Sequence, residues 1–232
     1  MMYEINIPTY VINIPKRKDR IAYIIDQFKG KREFDLYFIE ASDHPIDAVG
    51  LWMTICRIIN IAIEKNEDVI ILCKDDHEFT NDYDPDKFIA SIYEAYRLQA
   101  SFLLGGILGG FSNIFPLQSG LFWLDAFFGA QFVVVFSNSY KKILEEPFSD
   151  QDFVDEKLSE MTSNKFVIFP MISVQKEFGY SDMATNDNME GYHRFLTQSI
   201  MSRMNKINEI YQHFLKIKIE KANRDGINTK QS

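Results

Sequence analysis

The stretch Asp68-Val69-Ile70-Ile71-Leu72-Cys73-Lys74-Asp75-Asp76-His77-Glu78 carries the reading of the fold. Its first half is an almost unbroken apolar run, the pattern of a strand buried on both faces of a parallel sheet. Its second half is densely charged. N-terminal to it, Gly50 to Lys65 has helical spacing, with Trp52, Ile55, Ile59, Ala62 and Ile63 on one face. Leu36-Tyr37-Phe38-Ile39 reads as a strand, and Asp43-His44-Pro45 as a loop by turn chemistry. Further back, Ile21, Ile24, Ile25 and Phe28 predict a helix, and Tyr10-Val11-Ile12-Asn13-Ile14, closed by Pro15, a first strand. Strand, helix, strand, helix, strand at this spacing predicts a doubly wound α/β sheet.

C-terminal to the opening stretch, Phe88 to Leu98 is an amphipathic helix, and Phe102-Leu103-Leu104 a strand running into the glycine-rich Gly105–Gly110 segment. Phe122-Trp123-Leu124-Asp125, Gln131 to Phe136 and Phe166-Val167-Ile168-Phe169-Pro170 are further strand candidates. Short helices are expected from Ser139 to Leu144 and from Asp155 to Met161. Residues 181–194 read as a polar loop. Leu196, Ile200, Met204, Ile207, Tyr211 and Phe214 then predict one long amphipathic helix. The chain divides accordingly into a body, residues 1–190, and a C-terminal helix and tail, residues 191–232.

The chain has 232 residues with 25 Lys and Arg against 33 Asp and Glu, a net charge of −8. Its apolar fraction of 46% is that of a folded protein and suits a single sizeable core. The acidic balance argues against nucleic acid as a partner. No apolar run reaches about 18 residues, so no membrane-spanning helix is expected. Met1-Met2-Tyr3-Glu4 lacks the basic start and apolar stretch of a signal peptide, which leads to a cytoplasmic expectation. Residues 195–232 carry seven Lys and Arg against three acids, a net of +4, leaving −12 on residues 1–194. A basic amphipathic helix admits peripheral contact with an anionic inner-membrane surface, packing on the body, or pairing with a second copy.

In open α/β sheets, ligands bind outside the carboxyl ends of the strands, where Lys74-Asp75-Asp76-His77-Glu78 stands. In an extended chain Lys74, Asp76 and Glu78 share one side, and Asp75 and His77 the other. Carboxylates suit a hard divalent cation, which for Mg²⁺ means one or two of them plus substrate phosphates. The same acids also suit a plain strand-ending loop, with Asp75 or Asp76 capping the next element. Arg17 and Arg20 after the first strand read either as a phosphate-facing pair or as a solvated basic turn. Asp152, Asp155 and Glu156 contain a candidate general base, and they also look like an exposed helix start. Gly105–Gly110 has neither GxGxxG nor GxxxxGK[ST] spacing. Its glycines let the backbone pass close to a ligand or to another strand. The four histidines form no HExxH pair, no GxSxG motif is present, and Cys56 and Cys73 read as reduced core thiols.

Val11-Ile12-Asn13-Ile14-Pro15-Lys16-Arg17-Lys18-Asp19-Arg20 resembles the opening of family 25 glycosyltransferases of the lipopolysaccharide-biosynthesis type, where a V-I-N-L strand precedes a polar turn and D-R. Phe38 to Asp43, Gly50, and Ile70 to Asp76 then resemble, in order, that family's second strand and base-side loop, its G-C-x-x-S-H helix, and its strand plus E-D-D. Gly129 to Phe132, Asp155 to Ser159, Pro170 to Gln175, and Phe178 to Asp182 complete a resemblance that covers roughly residues 8–185.

The resemblance implies a GT-A fold, a Rossmann-like mixed sheet flanked by helices. It also implies a UDP-sugar donor of galactose or glucose type, a divalent metal ion (Mn²⁺ or Mg²⁺), and inverting transfer to a saccharide or lipid-linked saccharide. By position, Asn13, Arg17, Arg20, Ala41, Asp43, Lys74, Asp75, Gln175, Ser181 and Asp182 would hold the nucleotide-sugar. Asp76, with Glu78, would hold the metal, and Asp155, or else Asp152, would be the acceptor-side base. Two departures stand out: Lys74 replaces the first acid of E-D-D, and Thr54-Ile55 replaces Ser-His. Lys74 then supplies positive charge itself, or shifts the ligand pair to Asp76 and Glu78, or marks a GT-A-like protein that binds nucleotide-sugar or glycan without turnover. A metal-dependent phosphohydrolase built on Asp75 and Asp76 is disfavoured, because no second acid-rich strand end is present.

Overall fold

Residues 69–73 lie at the centre of the molecule because their side chains have apolar partners on both sides. The computed structural model describes residues 5–14, 16–117, 119–178 and 191–228, with the side chains of all but 18 and 220–228. In chain order its elements begin with β1 (Ile7–Asn13), α1 (Lys18–Phe28), β2 (Phe34–Glu40), α2 (Asp47–Glu64) and β3 (Val69–Lys74). β1 pairs in parallel with both β2 and β3, as the alternation of strands and helices predicts. Next come β4 (His77–Phe79), α3 (Pro85–Arg97), β5 (Phe102–Leu104), β6 (Ile114–Pro116), β7 (Leu121–Leu124) and β8 (Phe132–Phe136). α4 (Tyr140–Glu145), α5 (Val154–Glu160), β9 (Lys165–Ile168), β10 (Ser173–Gln175) and α6 (Tyr192–Asn228) complete the described chain.

Eight strands form one mixed sheet in the order β2-β1-β3-β8-β5-β9-β7-β6. The wholly parallel winding of the first three strands does not continue. β8 runs antiparallel to both β3 and β5, and β7 antiparallel to β9 and β6. The Rossmann-like mixed sheet flanked by helices, with a C-terminal helix after it, is therefore what the chain forms.

Alternate residues of the central strands feed two cores, as the period of two requires. Tyr10, Ile12, Ile70 and Leu72 pack with Trp52, Ile55, Ile58 and Ile59 of α2 on one face. Val11, Ile71 and Cys73 pack with Ile24 and Phe28 of α1 and Phe88 of α3 on the other. α3 starts cleanly because Asp84 accepts from the Lys87 N–H at 3.0 Å and Pro85 occupies the first helical position. Both cysteines are free thiols, Cys73 buried and Cys56 partly so, and burial pushes both thiols' pKa up.

β4 and β10, three residues each, make a separate antiparallel pair in which Gln175 lies opposite His77. The glycine-rich segment exists to admit it. A Cβ on Gly106 would stand 1.9 Å from the Ser173 carbonyl oxygen, and one on Gly105 2.8 Å from the Phe132 ring. The Gly105 carbonyl accepts from the N–H groups of Ile172 and Ser173 at 2.8 and 3.1 Å. Of the two readings of these glycines, close passage of another strand is the one the structure adopts.

α6 is anchored at its start. Glu177 accepts from the backbone N–H of Gly191 at 2.6 Å and of His193 at 2.9 Å. Met204 is fully buried, and Ile200, Met201 and Ile207 pack against the same core. Beyond them Ile210, Phe214, Ile217 and Ile219 are exposed. Among the described residues no helix is long and apolar enough to cross a membrane.

Candidate functional site

The charged half of the opening stretch turns at Asp75-Asp76, directly off the carboxyl end of β3. Both carboxylates are buried, and both face Arg20 of α1, itself buried. Arg20 Nη1 lies 3.2 Å from Asp75 Oδ1 and 3.9 Å from Asp76 Oδ2, and Arg17 Nη1 lies 3.9 Å from Asp75 Oδ1. The Arg20 guanidinium also stacks 4.6 Å from the Phe178 ring. From the small sheet, Gln175 Nε2 donates to Asp76 Oδ2 at 2.8 Å, and the Lys176 N–H donates to the Asp76 carbonyl at 2.8 Å. Burial and the neighbouring charge of Asp76 push the Asp75 carboxyl pKa up, against the pull of Arg20 and Arg17. One oxygen of each carboxylate, Asp75 Oδ2 and Asp76 Oδ1, is buried with no hydrogen-bond partner among the described residues.

Beside this cluster, Lys74 Nζ reaches Asp155 Oδ1 at 3.4 Å. Asp155 sits in the first turn of α5, and its other oxygen accepts from the N–H of Gly129 at 2.8 Å and of Ala130 at 3.3 Å. Gly129 adopts φ +71° with the Leu108 side chain 2.5 Å from where a Cβ would stand, so the loop closes here only with glycine. Burial pulls the Lys74 ammonium pKa down, but Asp155, Asp76 and Asp75 together raise it above the ordinary lysine value. The pair borders a cavity of about 20 Å³, also lined by Leu51, Ile55, Gln131 and Val154, with room for roughly one water.

Asn13 ends β1 at the same edge, and its carbonyl accepts from the Ala41 N–H at 2.9 Å, which sets the two side by side. The loop that holds Ala41 and Asp43 is tied to α2. The Ser42 N–H donates to Thr54 Oγ1 at 2.8 Å, and that hydroxyl donates to the Gly50 carbonyl at 2.7 Å. A Cβ on Gly50 would stand 2.5 Å from the Ser42 carbonyl oxygen. Thr54, noticed in the sequence only as a departure from Ser-His, thus keeps a working hydroxyl there.

Arg17, Arg20, Lys74, Asp75, Asp76, Asp155 and Gln175 are brought together. Glu78 has partners of its own, accepting from Tyr23 OH at 2.6 Å and lying 3.8 Å from Lys176 Nζ. Asp152 closes a local turn: it accepts from the N–H and hydroxyl of Ser149 at 2.6 and 2.8 Å and pairs with Lys157 at 3.3 Å. Ser181 and Asp182 lie outside the described residues. Among the described residues no group of three or more His, Cys, Asp and Glu is placed to hold a metal ion. Sequence reasoning missed Lys176, whose ammonium lies 4.0 Å over the Tyr23 ring, and gave no role to His77, Ser173 and Gln131, which form a buried hydrogen-bonded set. The available signals were the place of His77 next to Asp76 and of Ser173 and Lys176 within two residues of Gln175.

No protein-family model matches this sequence, and no curated protein is significantly similar to it. Solved structures of similar shape include an apo UDP-glucose pyrophosphorylase, at 11% identity and TM-score 0.45 over 86% of this chain and 82% of that one. A glycosyltransferase involved in glycosylation of the major capsid of PBCV-1 is 13% identical, with TM-score 0.37, over 59% and 63%. The nucleoside-diphosphate-sugar pyrophosphorylase of Vibrio cholerae RC9 is 12% identical, with TM-score 0.38, over 82% and 80%. At these values the likeness assigns neither an activity nor a residue of the site to this chain.

Proposed function

We propose that the chain is a GT-A-type hexosyltransferase that moves a sugar, with inversion, from a UDP-sugar to a saccharide hydroxyl in lipopolysaccharide or surface-polysaccharide biosynthesis. One observation carries the reading. A turn of two buried aspartates at the carboxyl end of a central strand lies between Arg17 and Arg20 on one side and Gln175 on the other, next to a Lys74–Asp155 pair. Guanidinium forks and an ammonium are the groups that recognise a diphosphate, and a carboxylate within the same group of residues is what an acceptor hydroxyl needs.

In this reading Arg17 and Arg20 hold the nucleotide, together with Asn13 and the Ala41–Asp43 loop. Asp155 Oδ2 is fixed by two backbone N–H groups, so Oδ1 is the oxygen that receives the acceptor proton. The acceptor oxygen bonds to the anomeric carbon as the bond from that carbon to the diphosphate breaks, and the diphosphate leaves with its electron pair toward Lys74 and Arg20. Asp75 Oδ2 and Asp76 Oδ1 are donor atoms that fit a divalent cation, since among the described residues they are buried carboxylate oxygens without hydrogen-bond partners. These would hold a Mg²⁺ or Mn²⁺ ion that neutralises charge on the departing diphosphate. Glu78, engaged by Tyr23 and Lys176, is not part of that pair. A second reading, nucleotide-sugar or glycan binding without turnover, draws on the Lys74 ammonium standing on Asp155 Oδ1.

The test is calorimetric titration of UDP and UDP-sugars, with and without Mn²⁺, followed by product analysis on a panel of saccharide acceptors. Asp155→Asn is expected to lower turnover by about 10²-fold or more while UDP affinity stays within a few-fold. Absence of UDP binding overturns the nucleotide reading. UDP binding by the wild type with no product on any acceptor selects the second reading, and full turnover by Asp155→Asn removes Asp155 as the base.

A further inference from the structure

We infer that Lys74 is a built-in counter-charge for a nucleoside diphosphate, exchanging Asp155 for phosphate oxygen when the ligand binds, so that this chain binds UDP without needing a divalent cation. The inference rests on the nucleotide reading above and deepens it.

Four observations carry it. The Lys74 side chain remains 34% exposed at a point otherwise closed by core residues, and it borders the small cavity at the end of β3. Among the described residues its hydrogen-bond acceptor is Asp155 Oδ1 at 3.4 Å, a long, one-pronged contact. Geometry of that kind binds weakly and is exchanged at small cost. Asp155 does not depend on it, because Gly129 and Ala130 hold the other carboxylate oxygen. Finally, Asp75 and Asp76 already share the Arg20 guanidinium, so the positive charge that a cation would bring to the two carboxylates is largely supplied by the protein.

Among Asp75, Asp76 and Asp155 on one side and Arg17, Arg20 and Lys74 on the other, charges balance before any ligand arrives. A diphosphate therefore has to draw a cation from an existing pair or bring one with it. Arg20 is buried between two carboxylates and beneath Phe178 and has little room to move. Lys74 is the most exposed of the three, at 34% against 16% for Arg17 and 5% for Arg20, and it has the flexible stem. Its departure also leaves Asp155 Oδ1 open to the acceptor hydroxyl, which couples donor binding to availability of the base.

The experiment is calorimetric titration of UDP and of UMP into wild type, Lys74→Met and Lys74→Arg, each in EDTA and in Mn²⁺, with thermal melts to confirm folding. The wild type is expected to bind UDP in EDTA within about threefold of its affinity in Mn²⁺. Lys74→Met is expected to lose about tenfold or more for UDP in EDTA, the worth of one hydrogen bond to a charged group, while UMP affinity changes little. Lys74→Arg, which keeps the charge, should retain most of the affinity. A merely structural role would move UDP and UMP together, and that outcome overturns the inference, as does Lys74→Met binding like the wild type. UDP binding by the wild type that requires Mn²⁺ overturns the inference alone. No UDP binding in either buffer overturns the nucleotide reading, and this inference with it.

Discussion

His77 is fully buried against the rings of Phe79 and Phe132, 4.3 and 4.9 Å away, with Nδ1 hydrogen-bonded to Ser173 Oγ at 2.7 Å. Burial, with a smaller contribution from the Lys31 charge, lowers its pKa to about 3. Because the unfolded value is about 6.5, the unfolded chain binds one more proton between those limits. The neutral-histidine contribution is therefore complete above pH about 6.5 and lost progressively as the pH falls toward about 3, on the order of 5 kcal/mol in all. His77→Asn is expected to weaken the decline of the unfolding free energy, measured by urea titration, over that window by up to ~1.4 kcal/mol per pH unit. Parallel declines for wild type and variant would show that His77 is not the titrating group. His77 belongs to the support of the site rather than to its chemistry, since Ser173 also accepts from Gln131 Nε2 at 2.9 Å.

At the scale of elements, the site depends on β10, the strand that delivers Gln175 to Asp76. Three residues cannot hold a strand in place by themselves. β10 is held by its pairing with β4 and by two hydrogen bonds to Gly105, and both depend on the close approach that Gly106 permits. Gly106→Ala is expected to cost about 1–3 kcal/mol in a urea titration, through overpacking against the Ser173 carbonyl. It should also weaken whatever affinity for UDP the wild type has, because Gln175 and Lys176 move with the strand. Unchanged stability would mean that the small sheet has slack in it.

For the molecule as a whole, the distribution of packing along α6 separates the body from the distal helix. Met204 lies in the core that also contains Trp52, Phe111 and Phe127, whereas Ile210, Phe214 and Ile217 have large exposed areas. Met204→Ala should cost about 2–4 kcal/mol. Removing residues 209–232 should leave the melting temperature within about 2 °C of the intact chain, because the described side chains from 209 to 219 bury little. A large loss on truncation would place a stabilising contact in the distal helix. The charge division falls earlier, between residues 194 and 195, at the start of α6. The acidic body holds the proposed anion site through a few placed cations, and the basic tail, at +4, leaves the body with −12.

Much of the architecture was legible one residue at a time. The continuous apolar run at 69–73 dictated a strand buried on both faces, and the apolar spacing of residues 50–65 dictated the helix that covers it, because burial imposes its period directly on the sequence. The position of Asp75, Asp76, Arg17 and Arg20 beside strand ends was legible for the same reason. β4, β6 and β10 were not: unlike the wholly apolar three residues of β5, theirs mix polar residues or proline with apolar ones and are strands only because a partner pairs with them. Nor were the Lys74–Asp155 and Asp76–Gln175 contacts, which join residues 81 and 99 positions apart. The sequence by itself determined which segments bury their side chains and that charge collects at the end of β3. Only the tertiary structure decided which charges meet, because the partner of each buried carboxylate is set by how helices and the small sheet pack around that strand end, and packing leaves no periodic mark on the chain.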